Sequence, residues 1–189
     1  MPRGGIVHRL DKDTTGLMMI AKNEKSFLNL SNQISNRSVT RIYQAFVVGK
    51  ITKSGIINEP IGRHPTNRQK QAVIESGKEA LTHYSLEKTF GNYSHLFIKL
   101  DTGRTHQIRV HLSHMGFPII GDPLYGRKRR FAKSTESELR EVIEHFPRQA
   151  LHASSLAFQH PGTGKKIEFS SDLPEDMKTL LDKLNQLTH

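Results

Sequence analysis

An α+β fold, with a mixed, largely antiparallel sheet flanked by helices, is what this sequence predicts, and three observations carry the prediction. Strand and helix signals are intermixed without a regular βαβα alternation. A tight Pro161-Gly162-Thr163-Gly164 turn joins two strand-like segments near the C-terminus, as in a hairpin. Neither G-x-G-x-x-G after a strand nor G-x-x-x-x-G-K-[ST] occurs, so a nucleotide-binding parallel sheet has no phosphate cradle.

Taken in order, Leu17 to Ala21 is a short apolar run, suited to a buried strand. From Glu24 to Ser35 the residues Phe27, Leu30 and Ile34 recur at i, i+3 and i+7, which predicts a helix with Asn23 as its N-cap. Arg41 to Val48 and Tyr93 to Leu100 carry strand signals; in the second, Leu96, Ile98 and Leu100 alternate with His95, Phe97 and Lys99. Gln71 to Ile74 and Ala80 to Leu86 read as two more strands around the Ser76-Gly77 turn. Thr105 to Met115 reads as a helix, with Ile108, Leu112 and Met115 on one face and Gly116 just past its end. A turn at Gly121-Asp122-Pro123 leads to the basic run Arg127 to Arg130 and a short helix around Glu136 to His145. Leu151 to Phe158 and Lys166 to Phe169 form the hairpin. Pro174 opens a last helix whose stripe is Met177, Leu180, Leu181, Leu184 and Leu187.

With 189 residues the chain is sized for one domain. Lys and Arg number 28 against 18 Asp and Glu, a net charge of +10 that favours a polyanionic partner. No apolar run approaches the roughly 20 residues a bilayer requires. The absence of cysteine excludes disulfides and thiolate metal sites, and suits a reducing cytoplasm. The opening Met1-Pro2-Arg3-Gly4-Gly5 lacks the apolar core of an export signal.

Two polar clusters invite chemistry. His8-Arg9-Leu10-Asp11-Lys12-Asp13-Thr14-Thr15-Gly16 packs charge beside an apolar strand. It reads either as a turn in which Asp11 or Asp13 caps backbone donors and Gly16 takes an unusual dihedral, or as a carboxylate at the mouth of a cleft held by a guanidinium. Spacing leaves Asp11 and Asp13 equivalent. In the second cluster, Gly103 to His111, Arg109 is rotated about 100° from Ile108 and lies at the buried edge of the helix, where an arginine requires a carboxylate partner. His106, His111 and His114 lack the i, i+4 spacing and carboxylate company of a metal site, so no metal is expected. Arg63, His64, Arg68, Lys70 and the run from Arg127 are suited to tracking phosphates.

The stretch PRGGIVHRLDKDTTGLMMIAK at 2–22 closely resembles the signature of the RluA-type pseudouridine synthases. TRIYQAFVVG at 40–49, EPIGRHPTNR at 59–68, THY at 82–84, TGRTHQIRVHLSH at 102–114, GDPLYG at 121–126 and RQALHA at 148–153 agree in the right order, so the resemblance covers almost the whole chain. It implies a pseudouridine synthase catalytic-domain fold over 1–189, and an enzyme that flips a uridine out of RNA and isomerises it without a cofactor. Large-subunit ribosomal RNA, free or in the assembling subunit, is the implied partner, met by a monomeric cytoplasmic protein. By the resemblance Asp11 is the catalytic aspartate, Arg9 helps displace the flipped uridine, Tyr43 contacts the base, and Arg109 pairs with the catalytic carboxylate. Arg63, His64, Arg68, Arg104 and His106 are expected to contact the substrate, and Asp13 keeps the turn reading. The family normally carries strands ahead of HRLD, so that portion is expected to be absent. A non-catalytic RNA-binding or ribosome-assembly module is the rival reading, and a metal-dependent nuclease a weaker third.

Overall fold

The computed structural model describes residues 2–126 and 137–186. Its elements are β1 (Thr15–Gly16), α1 (Glu24–Ser35), β2 (Thr40–Val48), β3 (Gly55–Asn58), β4 (Ile61–Arg63), β5 (Gln71–Val73), β6 (Leu81–Phe90), β7 (Tyr93–Leu100), α2 (Gln107–His114), α3 (Ser137–Glu144), β8 (Leu151–Gln159), β9 (Lys166–Ser170) and α4 (Glu175–Gln186). The main sheet runs β1-β8-β2-β7-β6-β3, with β9 pairing the far end of β8. Only β1 runs parallel to its neighbour β8; the other named pairs are antiparallel, as expected of the α+β class. β4 and β5 form a separate two-stranded hairpin.

The helix over Glu24–Ser35 forms as the periodicity requires. The Asn23 side chain accepts from the Ser26 N–H at 2.8 Å, and Phe27, Leu30 and Ile34 pack on Met19, Ala21, Val39 and Leu156. The larger core lies on the face of the sheet that presents Ala45, Val47, Leu96, Ile98 and Leu100, where Ile108 and Leu112 of α2, Leu139 and Ile143 of α3, and Met177, Leu180 and Leu184 of α4 close over it. Leu187 and the basic run Arg127 to Arg130 lie outside the described residues.

Three expectations are corrected. Leu17 to Ala21 is not a strand: the ladder to β8 closes with Leu17 N–H to the Ala153 carbonyl, and the later donors turn elsewhere, Met19 N–H to the His8 ring and Ala21 N–H to Gly5. Gly16 (φ +108°) is obligatory there, because a Cβ would collide with the Ala153 carbonyl. The helix expected from Thr105 starts two residues later, because His106 is left-handed (φ 56°) and the Gln107 side chain accepts from the Arg104 N–H instead. Gln71–Val73 and Leu81–Phe90 are both strands but do not pair with each other; β5 joins β4, and β6 lies between β3 and β7.

Two histidines inside this framework are neutral. Burial pushes His95, stacked on Phe46 with ring centroids 4.5 Å apart, down to about 4, and burial with the nearby charge of Arg41 does the same to His8. Their folded pKa values lie below the unfolded value of 6.5, so the unfolded chain takes up protons first. Their contribution is therefore complete above pH 6.5 and is lost as the pH falls toward 4. Thermal unfolding followed across that window should show a falling Tm, and His95→Gln, which cannot titrate, should flatten the fall.

Candidate active site

Arg109 sits where α2 meets two carboxylates. Its Nε and Nη2 donate to Asp122 Oδ2 and Oδ1 at 2.7 and 2.9 Å, and its Nη1 donates to Asp11 Oδ2 at 3.2 Å. The Arg109 side chain is 4% exposed, Asp122 0% and Asp11 15%. Burial opposes the charge of Arg109, but the hydrogen bonds and charges of Asp122 and Asp11 outweigh it and push its pKa above the ordinary arginine value. Asp122 is further fixed by the N–H groups of Leu124 and Tyr125, both at 2.9 Å to Oδ1. Asp11 thus has one oxygen tied and one, Oδ1, that accepts no hydrogen bond from the described residues.

The loop bearing Asp11 is shaped by its backbone. The Asp11 carbonyl accepts from the Thr14 N–H at 3.0 Å, and Asp13 occupies the left-handed region (φ 67°), which an aspartate tolerates better than most residues. The turn reading thus fits Asp13 by conformation. From just ahead of β8, Gln149 Nε2 donates to the Lys12 carbonyl at 2.6 Å and Thr14 Oγ1 at 2.9 Å. Arg148 Nη1 donates to the Asp13 carbonyl at 3.3 Å, while its Nε and Nη2 form a two-pronged pair with Asp176 of α4 at 2.7 and 2.8 Å.

Asp11 opens onto a cleft of about 860 Å³ whose walls include Arg9, Tyr43 and Arg104 together with His8 and Arg41. Strand alternation puts Arg41 and Tyr43 on one face of β2. Opposite Tyr43 the β2–β8 register slips, Ile42 facing Ser155 and Tyr43 facing Ala153, so β8 bulges at Ser154. Burial pushes the Tyr43 phenol up against the lowering influence of Arg41, with Asp11 adding to the rise, so it stays a neutral hydroxyl.

The remaining expected residues lie apart from these walls. Arg63 and Arg68 are exposed on the β4–β5 hairpin, and His64 closes its turn, its Nδ1 accepting from the N–H groups of Thr66 and Asn67. His106 pairs through Nδ1 with the Tyr125 hydroxyl at 2.8 Å and feels the charges of Asp11 and Arg109. His111 is buried between the Thr82 hydroxyl and the Glu59 carbonyl, and no acidic or histidine group suited to a metal occurs among the described residues. Sequence reasoning missed Asp122, Tyr125, Gln149 and Arg41. The rule that a buried arginine needs a carboxylate held a usable signal: Asp122 lies in the GDPLYG turn, and it takes the larger share of Arg109.

A sequence profile described as RNA pseudouridylate synthase matches residues 1–114. The chain is 51% identical over 186 residues to Ribosomal large subunit pseudouridine synthase D of Pseudomonas aeruginosa, covering 98% of this chain and 58% of that protein. Proteins of the same name from Buchnera aphidicola and Vibrio cholerae are 50% and 49% identical, covering 98% and 94% of this chain and 59% and 55% of theirs. The chain therefore spans somewhat over half the length of these relatives. Among solved structures, Human RNA Pseudouridylate Synthase Domain Containing 1 superposes with a TM-score of 0.70 at 26% identity, covering 95% of this chain and 79% of that one. Human RNA Pseudouridylate Synthase Domain Containing 4 gives 0.76 at 24% identity over 95% and 75%, a likeness of fold.

The unequal sharing of Arg109 has a measurable consequence. Asp122→Ala should cost about 3–5 kcal/mol in urea unfolding, since it strands a buried cation. Asp11→Asn, which leaves the two-pronged pair with Asp122 intact, should cost much less.

Proposed function

Because the chain belongs to the family of RNA pseudouridylate synthases, we propose that it isomerises uridine to pseudouridine in RNA. Large-subunit ribosomal RNA is the substrate that its relatives' names favour. The observation that carries this reading is Asp11, which has one carboxylate oxygen anchored on Arg109 and lines a cleft large enough for an extruded nucleotide. A pure RNA-binding module has no use for a carboxylate held in that way.

In the reaction the N1–C1′ bond of uridine breaks, the base turns, a C5–C1′ bond forms, N1 gains a proton and C5 loses one. Nothing is oxidised or reduced, so the chemistry needs no redox cofactor. Reaching the base inside folded RNA requires flipping it out, at a cost of about a few kcal/mol that contacts in the cleft offset. Tyr43 offers a neutral aromatic surface to the base, and exposed Arg9 is free to fill the place the base leaves. Asp11 attacks or removes a proton as the carboxylate, oriented by Arg109. Arg104, at the same cleft, and Arg63, His64 and Arg68 on the hairpin meet the RNA backbone. We place this activity in the cytoplasm, carried by one catalytic domain acting as a monomer.

Asp11→Asn should abolish tritium release from 5-tritiated uridine in large-subunit rRNA transcript while leaving filter-binding affinity within about twofold, since the carboxylate makes no phosphate contact. Substantial release by the purified variant would refute the assignment. Affinity for the same RNA should fall steeply with salt, and removing Arg63 and Arg68 should shallow the log–log slope by about one for each lost phosphate contact.

A further inference from the structure

Tyr125 joins three parts of the molecule that the proposed chemistry needs. Its hydroxyl accepts the backbone N–H of Gln71, at the start of β5, at 2.8 Å, and lies 2.8 Å from His106 Nδ1. Its ring faces the Arg109 guanidinium, with Cζ 5.1 Å from the centroid, and Lys70 Nζ lies 5.8 Å from the same centroid. His106 meets the ring edge-on, at an interplanar angle of 77°.

Pairing places these protons. The phenol oxygen accepts from the Gln71 N–H, and its own proton has no acceptor among the described residues other than His106 Nδ1, so donation to Nδ1 is the arrangement that leaves no hydroxyl proton unpaired. Nδ1 is then the acceptor, and the imidazole carries its own proton on Nε2. No described residue takes that N–H. His106 lies three residues from Arg109, in electrostatic contact with Asp11, Arg109, Asp122 and Arg9.

We infer that Tyr125 is a positioning residue for the isomerisation: its hydroxyl fixes His106 as the Nε2–H tautomer, offering a neutral donor to an oxygen of the RNA beside Asp11, while its ring braces Arg109. The inference rests on the reading of Asp11 as the reacting carboxylate. A protonated His106 would add a cation beside Asp11 and compete with Arg109 for it, so the neutral form is the productive one. Burial and the charges of Arg109 and Arg9 favour that form, while Asp11 and Asp122 oppose it. Without the hydroxyl, Nδ1 loses its donor and protonation becomes easier.

Long-range proton–nitrogen NMR correlation on ¹⁵N-histidine-labelled protein reads the tautomer without any RNA. The wild type should show Nε2–H, and a wild-type Nδ1–H would overturn the inference whether or not any variant folds. Tyr125→Phe, which keeps the ring over Arg109, should mix the tautomers and move the His106 titration to higher pH. In tritium release the same variant should move the acid limb of kcat/KM to higher pH and lower kcat more than it raises KM. In a His106→Gln background, which has no imidazole to titrate, Tyr125→Phe should leave the acid limb where it is. A Tyr125→Phe protein that is merely less stable, with the tautomer and acid limb unmoved, would overturn the inference. Absence of tritium release by wild type, with the tautomer as described, would refute the proposed isomerisation instead.

Discussion

A single buried guanidinium, shared unequally between two carboxylates, is the constraint on which the site depends. Arg109 is almost wholly out of water, and a buried arginine persists only if its charge is met on the spot. Asp122 meets most of it with two parallel hydrogen bonds and is itself fixed by two backbone N–H groups. The remaining N–H reaches Asp11. The division matters because a carboxylate saturated by a guanidinium would be a poor reactant. By giving Arg109 a structural partner, the fold lets Asp11 be held through one oxygen while the other accepts no hydrogen bond from the described residues.

Around that pair, the secondary structure works as a set of clamps. α2 is buried on both sides, Ile108 and Leu112 toward the sheet and Val110 toward Ile61, Ala80 and Tyr125, so Arg109 has little freedom to swing. Just ahead of β8, Arg148 and Gln149 hold the carbonyls of Asp13 and Lys12. The β8 bulge at Ser154 falls next to Tyr43, where a regular ladder would have set the side chains one residue out of step.

The α+β class, the Glu24–Ser35 helix, the C-terminal hairpin and the stripe of the last helix were legible because each depends on local periodicity or a turn. The errors fall where tertiary hydrogen bonds override that periodicity. Leu17 to Ala21 has a strand's composition, but beyond Leu17 its backbone donors go to the His8 ring and Gly5, so the ladder does not continue. Thr105 and His106 look helical, yet the Gln107 side chain holds the Arg104 N–H and His106 is left-handed, so the helix starts at Gln107. For the site, the resemblance singled out Asp11 and Arg109, which the structure brings into contact at 3.2 Å. Asp122 and Tyr125 stayed hidden in a turn motif because their importance comes from what lies across the fold, which one-dimensional spacing does not encode.

The ties between Gln149 and the Asp11 loop span 137 residues of sequence. Contacts so distant along the chain are made late, after nearer segments have condensed. On a translating ribosome, the loop emerges long before Arg148 and Gln149, the residues ahead of β8 that shape it. The arrangement of Asp11 on Arg109 is therefore completed only after the chain as far as β8 has been made, so its geometry is set by the late-emerging part of the fold.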